Sequence, residues 1–257
     1  MDIKKKVQEQ FGQFAGNYVT SEIHAKGEDL HTLIALSGVK PKDVVLDIAT
    51  GGGHVANGIA PFAKKVVALD LTEKMLKEAE RFIRQNGYEN VEFIKGDAEK
   101  LPFPSKTFSA VTCRIAPHHF PNVNDFVLES YRVLKDGGTF LLIDNVVPEQ
   151  NELDIFYNEI EKKRDPSHFR AWKKTEWLTM IERVGFEVEQ LTSFWKMFTF
   201  ESWFARMGLP VQEKRELEQY MLSASPETRN YYRVKEENGR VVSFQGKSVL
   251  IKAKKRH

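Results

Sequence analysis

The run Val44-Val45-Leu46-Asp47-Ile48-Ala49-Thr50-Gly51-Gly52-Gly53-His54-Val55-Ala56 constrains the fold more than any other stretch of the chain. Val44 to Leu46 are apolar in succession, as in a strand covered on both faces at the centre of a parallel sheet. Asp47 ends the run. The three glycines after it carry no Cβ, so the chain can turn sharply and let a ligand lie against its backbone. A helix starting at His54 leaves amide groups pointing into the same space. The stretch reads as a strand, a ligand-holding turn and a helix.

Two chemistries use such a turn. Gly51-x-Gly53-x-x-Ala56 fits a dinucleotide fingerprint, with Asp70 downstream to take a ribose hydroxyl, and an NAD(P)-dependent oxidoreductase would follow. Asp47 points the other way: its carboxylate would repel a pyrophosphate, whereas it helps to hold a cationic ligand with an ammonium group, such as S-adenosylmethionine. A tight turn with a helix-capping acid and no ligand is the third reading.

A chain of 257 residues, 41% of them hydrophobic, can build a sizeable core as one large α/β domain. A net charge of +2 with 29% charged residues leaves no nucleic-acid footprint, since Lys4-Lys5-Lys6 and Lys252 to Arg256 are short terminal clusters. The single cysteine, Cys113, excludes an intrachain disulfide and suits a reducing compartment. Neither a bilayer-spanning run nor a secretory apolar core is present, so a cytoplasmic protein without integral membrane association is expected.

Before the first strand, Ile3, Val7, Phe11, Phe14 and Tyr18 recur at helical spacing, with Gly12 and Gly16 weakening the helix. A cap over the site and a plain packing helix are both consistent with this. A second helix runs from about Glu28 to Leu36 and ends at Ser37-Gly38. Lys65 to Asp70 repeats the pattern of an apolar strand closing on an acid. Thr72 is expected to cap the following helix, Glu73 to Gln85, and Asn86-Gly87 to stop it. A third strand, Val91 to Ile94, leads into Gly96-Asp97-Ala98-Glu99-Lys100-Leu101-Pro102-Phe103. There Asp97 can accept from an adenine amino group while the Ala98 N–H meets a ring nitrogen. Phe108 to Cys113 is the fourth strand, opening into the loop Arg114 to Pro121, and a helix from Asp125 to Leu134, stopped by Asp136-Gly137-Gly138, precedes the fifth, Thr139 to Asp144. Asp47, Asp70 and Asp97 thus arrive at one sheet edge, as a single extended ligand would require.

The blocks Val-Leu-Asp-x-x-x-Gly-Gly-Gly at 45–53, Ala-Leu-Asp at 68–70, Gly-Asp-Ala-Glu-x-Leu-Pro-Phe at 96–103 and Arg-Val-Leu-Lys-x-Gly-Gly at 132–138 resemble the class I S-adenosylmethionine-dependent methyltransferases. Within them the resemblance is to the ubiquinone/menaquinone-biosynthesis C-methyltransferases and their small-molecule relatives, and covers about residues 41–147. It implies a Rossmann-like, doubly wound α/β sheet of seven strands, mostly parallel with the last antiparallel. An N-terminal helical cap (1–40), a cofactor-binding core (41–147) and acceptor-side helices with the last strands (148–257) would make one domain. The implied cofactor is S-adenosylmethionine, with S-adenosylhomocysteine as product and no metal. Its candidate contacts are Asp47, Ala49, Gly51, Gly53, Asp70, Leu71, Met75, Asp97, Ala98, Arg114 and Ile115. Ala49 departs from the pattern, standing where the family carries the first glycine of Gly-x-Gly-x-Gly.

The expected chemistry is methyl transfer to a small-molecule acceptor, with binding of the cofactor without catalysis as the alternative. His118 or His119, beside the end of the fourth strand, is a candidate base or orienter; inward packing and surface exposure are the competing fates. Because the two are adjacent, their rings are not expected to converge on a metal. Arg164, His168 and Arg170 are candidates to bind an anionic acceptor or, with Tyr18 and His24, to close the site; an ion-pair network with Asp165 is the alternative. Thr175 is expected to cap a helix reaching Val184, and strand six to begin at Phe186. The aromatics from Phe194 to Phe204 wall a pocket or fill a core. Asn238-Gly239 marks a hairpin turn, Val242 to Lys252 closes the sheet, and a homodimer is one assembly the sequence permits.

Overall fold

The computed structural model describes residues 3–19, 27–205 and 207–256. Two helices, α1 (Ile3–Val19) and α2 (Glu28–Ser37), come before the first strand. The alternating core follows: β1 (Val44–Ile48), α3 (His54–Ile59), β2 (Lys65–Asp70), α4 (Glu73–Gln85), β3 (Val91–Lys95), β4 (Phe108–Arg114), α5 (Val123–Val133) and β5 (Leu134–Val147). The remainder comprises α6 (Asn151–Arg164), β6 (Trp172–Lys173), α7 (Lys174–Arg183), β7 (Phe186–Thr199), α8 (Phe200–Ala205), α9 (Val211–Leu222), α10 (Pro226–Tyr231), β8 (Lys235–Glu237) and β9 (Arg240–Lys255).

The main path of the sheet is β3-β2-β1-β4-β5-β9-β7, seven strands with β9 antiparallel to both neighbours. β6 adds a short parallel pairing to β5, and β8 forms a hairpin with β9. Asn238 and Gly239 both take positive φ there, as the expected tight turn demands. The strand order reverses between β1 and β4, which opens a crevice at their carboxyl ends. One apolar core fills the face against α5 and α7, a second the face against α2, α3 and α4, and a third joins α6, α8 and α9 to β9. Phe200, Trp203 and Phe204 belong to that third core, whereas Trp195 is exposed. No helix among the described residues is long and apolar enough to cross a membrane.

Some local expectations are corrected. Thr72 stands at the N-cap of α4 but its hydroxyl makes no cap bond; its backbone N–H donates instead to Asp70 Oδ1 at 2.8 Å. Thr175 lies inside α7, its hydroxyl donating to Glu149, while the residue at the cap is Lys173, whose N–H donates to Glu176 at 2.8 Å. α5 ends at Val133, before the glycines, because Leu134 is already extended and paired with Phe108. Residues 135–138 form an irregularity in β5 before the ladder resumes at Thr139.

The turn after β1 depends on Gly53. Its φ is 82°, and a Cβ there would sit 2.9 Å from Ile83 Cδ1 and 3.0 Å from Ala79 Cβ of α4. Gly53→Ala would therefore combine a left-handed backbone with overpacking, and a loss of about 2–4 kcal/mol is expected in urea unfolding. A loss below ~0.5 kcal/mol, the range of a neutral surface change, would refute this role for the glycine.

Candidate functional site

The carboxyl ends of β1, β2, β3 and β4 open into one cleft, with Lys4, Val7 and Phe11 of α1 along its wall. Of the residues expected to meet a cofactor, Asp47, Ala49, Gly51, Asp70, Leu71, Met75, Asp97, Ala98, Arg114 and Ile115 line it. Gly53 does not; it sits behind the wall, against α4.

Each acid is oriented by its own neighbours. Asp47 is buried, accepting from the hydroxyls of Thr50 (2.7 Å) and Thr112 (2.8 Å), the latter its register partner on β4. Burial outweighs those bonds and pushes its carboxyl up to about 6. Asp70 accepts from the N–H groups of Gly51 (3.0 Å) and Thr72 (2.8 Å), and burial likewise moves its carboxyl upward. Asp97 accepts from the Glu99 N–H at 2.9 Å and pairs with Lys4 at 2.6 Å; Lys4 also reaches Glu99 at 2.5 Å. Burial disfavours the charged Lys4 amine, but the two carboxylates more than offset this and hold its proton above the usual value.

Backbone strain gathers at the same edge. Ala49 and Ile115, at the ends of β1 and β4, take φ of 53° and 54°. Such a conformation costs about 1–2 kcal/mol for a residue with a Cβ. Backbone bonds hold both turns: Thr50 N–H donates to Leu69 O at 2.9 Å, and Ile115 N–H to Ile143 O at 2.7 Å. Ala49 thus adopts the left-handed conformation for which glycine is suited.

The two adjacent histidines do converge, their ring centroids 4.2 Å apart, because the 3₁₀ turn Pro117–His119 brings both inward. Their partners differ. His118 Nδ1 lies 2.6 Å from Asp144 Oδ1; burial alone would depress this imidazole, but the carboxylate reverses the shift and the net movement is upward. His119 Nδ1 lies 3.0 Å from the Ser167 carbonyl, so that nitrogen carries the hydrogen and Nε2 keeps its lone pair. Burial, reinforced by the His118 charge, holds the His119 imidazole below its ordinary value. Only His119 of the pair lines the cleft among the described residues, with the Phe11 ring edge-on at 5.1 Å.

The expected acceptor residues lie elsewhere. Arg164 pairs with Glu161 at 2.7 Å and covers the Trp203 ring. Arg170 pairs with Asp154 (3.0 Å) and Glu176 (3.4 Å), and His168 Nε2 meets Asn158 Oδ1 at 2.9 Å. None of the three lines the cleft, and Asp165 serves to accept from the Ser167 N–H and hydroxyl. The partners come from α6 and α7, because the 165–171 loop folds back onto those helices. Tyr18 belongs to α1, but its side chain, like the whole of His24, lies outside the described residues.

Lys4 and Thr112 join the site without having been singled out for it, whereas Val7 and Phe11 lie on the helix face that the cap reading placed over it. A lysine cluster at a chain start has the pattern of a solvated end, and only docking of α1 brings Lys4 to Asp97. Thr112 carried a local signal, a hydroxyl between the apolar Val111 and Cys113, and register places it opposite Asp47.

The His118–Asp144 pair makes stability depend on pH with a definite sign. Its folded pKa is above the ordinary 6.5, so the stabilisation is complete below that value and is lost as pH rises through the folded one. The melting-temperature gap between the unaltered chain and Asp144→Asn is expected to be widest at acid pH and to narrow as pH rises through the raised value of His118. A gap independent of pH would rule the pairing out.

Residues 46–142 match the methyltransferase domain family. Over 247 residues the chain is 36% identical to the uncharacterized methyltransferase YcgJ of Bacillus subtilis (strain 168), covering 96% of this chain and 98% of that protein. The crystal structure of YcgJ superposes with a TM-score of 0.84 at 35% identity, covering 89% of this chain and 98% of the other. The crystal structure of a candidate methyltransferase of Bacillus halodurans C-125 gives a TM-score of 0.88 at 52% identity, covering 90% of this chain and all (100%) of that one. The ubiquinone/menaquinone biosynthesis C-methyltransferase of Ectopseudomonas mendocina (strain ymp) is 35% identical over 150 residues, 54% of this chain and 58% of that enzyme. With this likeness along nearly its whole length and the sheet order described above, the chain belongs to the class I S-adenosylmethionine-dependent methyltransferase family.

Proposed function

We propose that the chain transfers a methyl group from S-adenosylmethionine to a small-molecule acceptor, in the cytoplasm, with residues 1–257 acting as a single domain. The supporting observation is the delivery of Asp47, Asp70 and Asp97 to one cleft by three successive strands. The chemistry of these donors and acceptors fits that ligand. Asp47 is a buried carboxylate held by two hydroxyls and the Ala56 backbone, and an ammonium group offsets its burial. Asp70 is held by two backbone N–H groups and keeps lone pairs for two vicinal hydroxyls. Asp97 and the Ala98 backbone face a ring that carries an amino group. A pyrophosphate would instead sit beside Asp47, raising the cost of that buried charge.

The sulfonium ligand supplies an activated methyl group, which leaves binding, orientation and proton handling to the protein. Val7, Phe11, Ile115 and Phe120 present apolar surface to the cleft and limit water in it. His119, neutral and with Nε2 unprotonated, receives the acceptor's proton or orients its nucleophile. His118 acts at one remove: its charge, held by Asp144, adds to burial in keeping the His119 ring neutral.

Calorimetric titration with S-adenosylhomocysteine and S-adenosylmethionine, with NADH as comparator, tests this reading. Both adenosyl ligands are expected to bind, and Asp70→Ala to weaken them by about tenfold or more, the loss of a charge-assisted pair of bonds. Binding of NADH alone would overturn it. Asp47→Asn is expected to abolish tight binding while raising the melting temperature of the ligand-free chain at about pH 8. The sign follows from its folded pKa of about 6 against an ordinary 3.8: the cost of Asp47 builds as pH rises above the ordinary value and is complete above the folded one. With an acceptor found by screening, His119→Gln is expected to lower the transfer rate by about 10²-fold or more, and an unchanged rate would remove it from the chemistry.

A further inference from the structure

Beyond the cofactor wall, the sheet face under α2 carries a charged cluster that Arg114 joins to the cleft. Arg114, at the end of β4, forks onto Asp29 of α2 through Nε and Nη2, both at 3.0 Å. The same carboxylate also accepts from Lys196, on β7, at 3.4 Å, the one hydrogen bond of that ammonium among the described residues. Two cations therefore share one carboxylate. The ammonium can donate three hydrogen bonds and makes one long one. Asp144, the other carboxylate whose field reaches Lys196, is already bound to His118 at 2.6 Å.

The register shows what lies under that ammonium. Lys196 pairs with Gly246 and Phe194 with Ser248, which in turn pairs with Asn145, so these side chains share one face. Between β7 and β4 lie β9 and β5, and the Lys196 side chain must cross them to reach the carboxylate that Arg114 holds. Ser248 Oγ donates to Asn145 Oδ1 at 3.0 Å, which turns the Asn145 amide nitrogen away as a donor with no acceptor among the described residues. Lys196 keeps 17% of its side chain exposed, so a ligand can reach it. Burial depresses its amine, opposed by Asp29, as expected of a cation short of counter-charge.

We propose that Lys196 and the Asn145 amide form a subsite for a carboxylate carried by the methyl acceptor, whose apolar body lies toward Phe194 and the cleft wall at Ile115. This rests on the cleft being the S-adenosylmethionine site, since Arg114 borders both. The Lys196 ammonium supplies the positive charge that an anion needs. A planar carboxylate offers one oxygen to each donor. Lys196, and not Arg164 or Arg170, then supplies the anion-binding cation.

The probe is benzoate, compared with benzamide, titrated calorimetrically into the chain saturated with S-adenosylhomocysteine. Benzoate is expected to bind about tenfold more tightly than benzamide, the preference falling below about twofold in Lys196→Met. S-adenosylhomocysteine affinity should be unchanged in that variant. Should Lys196→Met not fold, Asn145→Ala carries the same test, with benzoate weakened about threefold or more. An unaltered chain that fails to bind S-adenosylhomocysteine overturns the cofactor reading and the subsite with it. One that binds it but takes benzoate and benzamide alike, or whose variants keep the full preference, overturns the subsite alone.

Discussion

A carboxylate buried at the end of the central strand is the constraint around which the site is built. Asp47 is almost wholly out of water, with two hydroxyls in place of a cation. Leaving a charge there is unfavourable, and β1, β4 and the glycine turn must all be in register for Thr50 and Thr112 to compensate even in part. The left-handed backbone at Ala49 and Ile115 belongs to the same tension. The fold holds both through backbone bonds from neighbouring strands, so the energy of the sheet keeps the edge in a conformation that isolated residues would leave.

The motif blocks also hold one another. The carbonyls of Leu101 and Phe103 accept from Arg132, whose partner Glu129 accepts from the Leu101 N–H at 2.8 Å. The segment after Asp97 is thereby clamped to α5, and Glu99 accepts from the Asn122 N–H at 2.6 Å. Stability and site geometry are therefore hard to separate here: the groups that orient Asp97 also join β3 to α5. Lys4 closes this network from the far end of the sequence, which makes α1 part of the site wall.

The histidines show why one sequence position can have different fates in the fold. His118 and His119 are neighbours of the same type, and nothing in their order separates them. The turn directs one ring to Asp144, deep under the sheet edge, and the other to Ser167 and the cleft. Burial, reinforced by the charge on the first, then holds the second below its ordinary value. Arg164 and Arg170 looked like ligands for an anion because cations in an apolar segment attract that reading. Their carboxylate partners, Glu161, Asp154 and Glu176, lie three to sixteen residues away on helices whose packing brings them together.

While the seven-stranded path was implied by the family resemblance, the sequence by itself determined the strand–turn–helix order and the placing of Asp47, Asp70 and Asp97 at one edge. Those features rest on periodicity, on glycine's conformational freedom and on the rule that parallel strands end together, all of which are local or topological. The tertiary structure alone decided that Lys4 meets Asp97, that His119 rather than His118 faces the cleft, and that Lys196 shares Asp29 with Arg114. Each of those contacts joins residues from elements that no pattern links. They depend on how helices dock and where long side chains reach, which is set by the packing of the whole chain.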